Sequence, residues 1–125
     1  MLYFSFGNLA FNGKSSESMI DMVVSGKSKF DNADAFLVEA IKYIDEEIYP
    51  GEGIKEDYQG AYLKEGLYKD IVKRWIASMN EKVEISFDDI QKTYRIKLDH
   101  YDPMRDEFVL ETADEFIMFS WSTSA

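Results

Sequence analysis

The chain's only histidine, His100, stands in the stretch LDHYDPMRDE between Asp99 and Asp102. An imidazole flanked by carboxylates can be oriented as a general base, or can share a divalent cation with its neighbours. Asp99, His100 and Asp102 would then serve a small metal-dependent hydrolase, and a looser Mg²⁺ or Mn²⁺ site would use Asp99, Asp102 or Asp106, because hard cations need only a few convergent carboxylates and impose no firm spacing. A nucleophile-based mechanism would need more: an activated hydroxyl and oxyanion donors, which no spacing here supplies. A polar loop between strands accounts for the same residues.

Two other stretches come close to known ligand motifs and miss. GNLAFNGKS at 7–15 follows a strand pattern and precedes a predicted helix, as a phosphate-binding loop does, but Gly7 and Gly13 enclose five residues where that loop has four. Backbone N–H groups in the wrong register do not surround a phosphate, so a turn with a helix cap is the expectation. In DEEIYPGEG, placing Gly51 at the sixth position of a calcium loop puts Ile48 at the third, where an oxygen ligand is required. With no cysteine in the chain, disulfides, thiolate metal sites and cysteine nucleophiles are excluded, and a reducing cytoplasm is compatible. No cofactor is expected.

Charge carries more information. The net charge of −10 opposes a nucleic-acid backbone or an anionic membrane as partner. Residues 45–58 hold Asp45, Glu46, Glu47, Glu52, Glu56 and Asp57 against Lys55 alone. Residues 99–115 hold Asp99, Asp102, Asp106, Glu107, Glu111, Asp114 and Glu115 against Arg105 alone. These two segments amount to a net −11, so the remainder is about neutral. A merely solubilising surface intersperses both signs. Asp45, Glu46 and Glu47 also fall in the last turn of a predicted helix, where the macrodipole disfavours anions by about 0.3–1 kcal/mol each. Tyr43 and Tyr62 flank the first segment, Tyr49 and Tyr58 lie in it and Tyr101 lies in the second; tyrosine is a common anchor of interfaces. The expected partner-binding residues are therefore Asp45, Glu46, Glu47, Tyr49, Glu52, Glu56, Asp57 and Tyr58, joined on one face by Asp99, Tyr101, Asp102, Asp106 and Glu107.

The elements that must position them follow from periodicity. Leu2, Phe4 and Phe6 alternate with polar neighbours and predict a strand. Ser15 or Ser16 is placed to cap a short helix whose stripe is Met19, Ile20, Val23 and Val24 and which ends at Gly26. Phe36, Leu37, Ala40, Ile41, Ile44 and Ile48 predict a helix behind Asp31 or Asp34, stopped by Pro50-Gly51, and a third helix is predicted over 63–79. The period then changes to two: Val83, Ile85 and Phe87, then Tyr94, Ile96 and Leu98, then Phe108 and Leu110, with 116–121 apolar on both faces as in a doubly covered strand. The expectation is a single α+β domain over 1–125, its N-terminal helices packed on one face of an antiparallel sheet formed mainly by the C-terminal third. With no basic leader and no run of about 18 apolar residues, a soluble, unexported, cytoplasmic protein is expected.

In size, acidity and lack of catalytic motifs the whole chain resembles the small acidic immunity proteins that bacteria pair with secreted nuclease toxins, including those of contact-dependent growth inhibition. The resemblance implies a cytoplasmic, non-catalytic inhibitor of a basic cognate nuclease domain, with carboxylates standing where phosphates would lie. It implies neither nucleic acid nor membrane as partner. A nucleic-acid mimic directed at other nucleases would use the same electrostatics, with its acids spread in duplex-like rows.

Overall fold

The computed structural model describes residues 1–8, 18–79 and 82–123. Its centre is a six-stranded, wholly antiparallel sheet. In chain order the strands are β1 (Leu2–Asn8), β2 (Ser18–Gly26), β3 (Tyr62–Gly66), β4 (Ile90–Lys97), β5 (Arg105–Thr112) and β6 (Glu115–Thr123); across the sheet they run β1-β2-β6-β5-β4-β3. The helices are α1 (Ala33–Tyr43), the short α2 (Ile54–Asp57) and α3 (Lys69–Ala77). An α+β protein is what the sequence predicts; the layering differs.

Strands β5 and β6 lie in the middle and are apolar on both sides. Phe108, Leu110, Ile117, Phe119 and Trp121 face one way, with Val72 and Met79 from the α3 region. Val109, Phe116 and Met118 face the other way, under Phe36, Leu37 and Ala40 of α1. Helices therefore cover both faces, and the expected one-sided packing is corrected. The physical reason lies in the strands: a sheet centre apolar on both sides must be covered on both sides. The C-terminal third supplies β4, β5 and β6, the two central strands among them, while β1, β2 and β3 come from the first two thirds.

The predicted helix ending at Gly26 is instead β2. Ile20 and Met22 join the first core and Val23 the second, so an apolar run serving two faces shows no alternation and mimics a helical stripe. The predicted helix over 63–79 divides into β3 and α3. A Cβ at Gly66 would stand 2.8 Å from the Tyr68 ring, and Thr93 of β4 holds the junction by accepting from the Tyr68 N–H at 3.0 Å and donating to the Gly66 carbonyl. Val83, Ile85 and Phe87 alternate because they pack on the first core, not because they form a ladder. Helix α1 starts where expected, but its cap is Asn32, whose Oδ1 accepts from the Ala35 N–H at 2.8 Å, rather than Asp31 or Asp34.

Candidate partner-binding face

The first acidic segment is a turn built on the end of α1. The helix widens into a π-turn over Ile44–Ile48, closed by the Tyr49 N–H on the Ile44 carbonyl at 2.8 Å. Pro50 cannot continue it, and Gly51 and Gly53 take positive φ of 81° and 70°, which reverses the chain into α2. Asp45 is explained by this turn. Its Oδ1 accepts the Lys55 N–H at 3.1 Å, placing an anion at the start of α2, so its unfavourable position at the end of α1 has a structural return. Glu46, Glu47, Glu52, Glu56 and Asp57 have no such explanation and are exposed.

The tyrosines of this segment turn towards the sheet. The Tyr49 and Tyr3 hydroxyls lie 2.8 Å apart, and Tyr3 donates to Asp21 at 2.8 Å. The Tyr58 hydroxyl donates to Glu107 Oε2, and the Ser120 hydroxyl donates to the same oxygen at 2.9 Å. Arg105 grips the other oxygen with Nε at 3.0 Å and Nη2 at 2.6 Å, its guanidinium lying 5.0 Å over the Tyr58 ring. Burial pushes the Tyr58 phenol well above its ordinary pKa, and the Glu107 charge adds to the shift. Burial is the largest single influence on Arg105 and lowers its pKa, but the charges and hydrogen bonds of Glu107 and Tyr58 together raise it on balance.

These groups belong to one row across the sheet. Ser5 of β1 pairs with Asp21 of β2, Asp21 with Ser120 of β6, and Ser120 with Glu107 of β5. All share the face of Tyr3, Val23, Met118 and Val109, the α1 side; Glu107 is buried there, Asp21 and Ser120 are half-buried and Ser5 is exposed. Glu107, expected on a partner-facing surface, is thus corrected, being 3% exposed; Tyr49 and Tyr58 are half-buried, with their hydroxyls engaged by the sheet. Sequence reasoning missed Tyr3, Asp21 and Ser120. The available signal was Asp21 itself, a lone acid within the apolar run MIDMVV.

Most acids of the second segment are also engaged internally. Asp106 accepts from Trp75 Nε1 at 2.9 Å and pairs with Arg95 at 3.3 Å; Asp102 accepts from the Met104 N–H at 2.9 Å; Glu111 pairs with Lys27 at 2.9 Å. Asp99 and Tyr101 are exposed, Tyr101 at 89%. The segments do meet: besides the Tyr58–Glu107 bond, a Cβ on Gly60 would collide with the Asp99 carboxylate, and Gly60 has a φ of 77°. The accessible acidic face is therefore Glu46, Glu47, Glu52, Glu56 and Asp57, with Asp99 and Tyr101 alongside the end of the turn.

His100 lines a cleft of about 450 Å³ beside the stacked rings of Trp75 and Trp121. Asp102 and Asp106 line it too, each with the partners given above. Among the described residues no three His, Asp or Glu side chains are grouped as ligands of an ion, and none of the helices is long and apolar enough to cross a membrane. The glycine-lysine stretch at 7–15 lies mostly outside the described residues. No protein-family model, no curated protein and no solved structure matches the chain.

Proposed function

We propose that this protein is a non-catalytic binding module for a basic protein, an immunity protein that inhibits a cognate nuclease toxin. One observation carries the reading: five exposed carboxylates crowd one turn and a four-residue helix, while the tyrosines and buried acids around them fasten that turn to the sheet. Crowded anions repel one another, and a rigid mount prevents them from spreading; a cationic partner offsets that repulsion. The acids sit on a compact turn rather than in two extended rows, which favours a patch for a protein over a duplex mimic.

The test begins with the protein used as bait in lysate of its native host. A captured basic protein, purified alone, is assayed for nuclease turnover. Stoichiometric loss of turnover on adding wild type, with turnover retained on adding the Glu52→Lys/Asp57→Lys variant, is the expected result. Capture restricted to acidic or neutral proteins, or equal inhibition by the variant, would sink the reading.

A further inference from the structure

A second surface, away from the acidic turn, has both an apolar floor and an acidic rim. The register sets Leu2, Phe4 and Phe6 of β1 opposite Val24, Met22 and Ile20 of β2, which carries the face of the first core out to the end of the sheet. There the cover gives out: Leu2 is 62% and Phe4 42% exposed, whereas Met22 is 6% exposed. The result is a groove of about 870 Å³ whose floor is Leu2, Phe4, Phe6, Met22, Val24 and Ile117. Large apolar side chains left open at a sheet end are an association hazard unless something covers them.

The lining charges indicate what covers them. Glu84, Asp88 and Asp89 come from the segment before β4, and Asp114 and Glu115 from the β5–β6 turn; all five are exposed. Among the described lining residues the only cation is Lys82, already paired with Glu84 at 2.8 Å. A second copy of this chain would bring its own acids against these. A cationic occupant with large apolar side chains satisfies both the floor and the rim.

We infer that this groove docks a basic amphipathic peptide segment of another protein, with leucine- or phenylalanine-sized side chains on the Phe4–Met22 floor and Lys or Arg reaching the acids along its two sides. The inference rests on the basic-partner reading above and adds an anchoring site outside the acidic turn. An apolar anchor supplies what the turn lacks, because exposed charges alone set approach rate and register more than they set affinity.

The test is a ¹⁵N–¹H correlation titration of the whole protein with the heptapeptide Lys-Leu-Arg-Phe-Lys-Leu-Arg. Two counterparts serve as controls, one with Glu for every cation and one with Ser for every apolar residue. Saturable shifts at Leu2, Phe4, Met22 and Ile85 are expected with the first peptide only. Leu2→Ser/Phe4→Ser and, independently, Asp88→Lys/Asp89→Lys should each weaken binding by about tenfold or more, the size of effect typical of anchor positions; the second variant leaves the floor intact and keeps the test valid if the first misfolds. Shifts confined to Glu46, Glu52, Asp57 and Asp99 would overturn the groove and leave the acidic turn standing. No shifts at millimolar peptide would remove both. Equal binding of the Ser counterpart reduces the site to charge attraction and overturns the inference. So does a dimer by sedimentation equilibrium that Leu2→Ser/Phe4→Ser abolishes, or cross-relaxation from Leu9 or Phe11 to Phe4 in the free protein, since either names a different occupant.

Discussion

Tyr58 and Glu107 are 49 positions apart in sequence, and in the folded chain the phenol of the first donates to a carboxylate that is 3% exposed. That bond ties the acidic turn to the central strand β5. Glu107 is stable as a buried anion because it has four donors in hand, two from Arg105 and one each from Tyr58 and Ser120.

Removing one donor and removing the anion should therefore differ. Tyr58→Phe deletes a single charge-assisted hydrogen bond and is expected to cost about 1.5–3 kcal/mol of stability. Glu107→Ala leaves Arg105 half-buried without its counter-ion and should cost about 3–5 kcal/mol. Urea unfolding of both variants checks the order; a Tyr58→Phe chain as stable as wild type would show that the bond does not hold the turn.

Asp21 predicts an unusual pH dependence. Burial raises its pKa, and the Ser5 and Tyr3 hydroxyls only partly offset that. A raised folded-state pKa means that the folded chain binds this proton more tightly than the unfolded chain. Asp21 thus opposes folding at neutral pH, and the penalty shrinks as pH falls through its folded pKa towards the ordinary carboxylate range. Asp21→Asn keeps an acceptor for Tyr3 and removes the charge. The variant should be the more stable at pH 7, with the gap to wild type narrowing on acidification. A gap that is constant between pH 7 and pH 4, measured by thermal unfolding, would contradict the assignment.

Trp75 and Trp121 are the chain's two tryptophans, and their rings stack with centroids 3.8 Å apart and planes 13° from parallel. Indoles so close should couple excitonically, giving a circular-dichroism couplet that Trp75→Phe and Trp121→Phe each abolish. Trp75→Phe also takes a donor from Asp106 and should cost about 1–3 kcal/mol. A couplet surviving in either variant would mean that the rings are not stacked in solution.

Charge reversal should separate the two acidic segments. Glu52 and Asp57 are exposed, so Glu52→Lys/Asp57→Lys should fold normally while its association with a captured basic partner slows. Asp106 is paired with Arg95, so Asp102→Lys/Asp106→Lys puts a cation beside a guanidinium and should cost on the order of 3 kcal/mol of folding stability. For wild type, association should slow as salt rises past about 0.15 M, where charges more than about 8 Å apart are screened. Stopped-flow rates that are flat with salt would rule out steering by the acidic turn.

What could be read along the chain was local. The stripe of α1 and the stop at Pro50-Gly51 follow from a 3.6 period and from an imide that cannot continue a helix, and the double apolar faces of 116–121 mark a covered strand without reference to its pairing. The density of acid at 45–58 was equally plain. Strand β2 was not, because Asp21 interrupts its apolar run and Met19, Ile20, Val23 and Val24 fall at the spacing of a helical stripe. Glu107 and Glu52 also look alike in sequence, each an acid in an acidic stretch, yet one is 3% exposed under Tyr58 and the other is open to solvent. That difference was decided by register in the sheet, between the consecutive strands β5 and β6 and between β6 and the distant β2. The pairing of β5 with β6 and of β6 with β2 sets Glu107, Ser120 and Asp21 in one row on the α1 side, and shifting any ladder by a single residue would turn its part of that row to the opposite face.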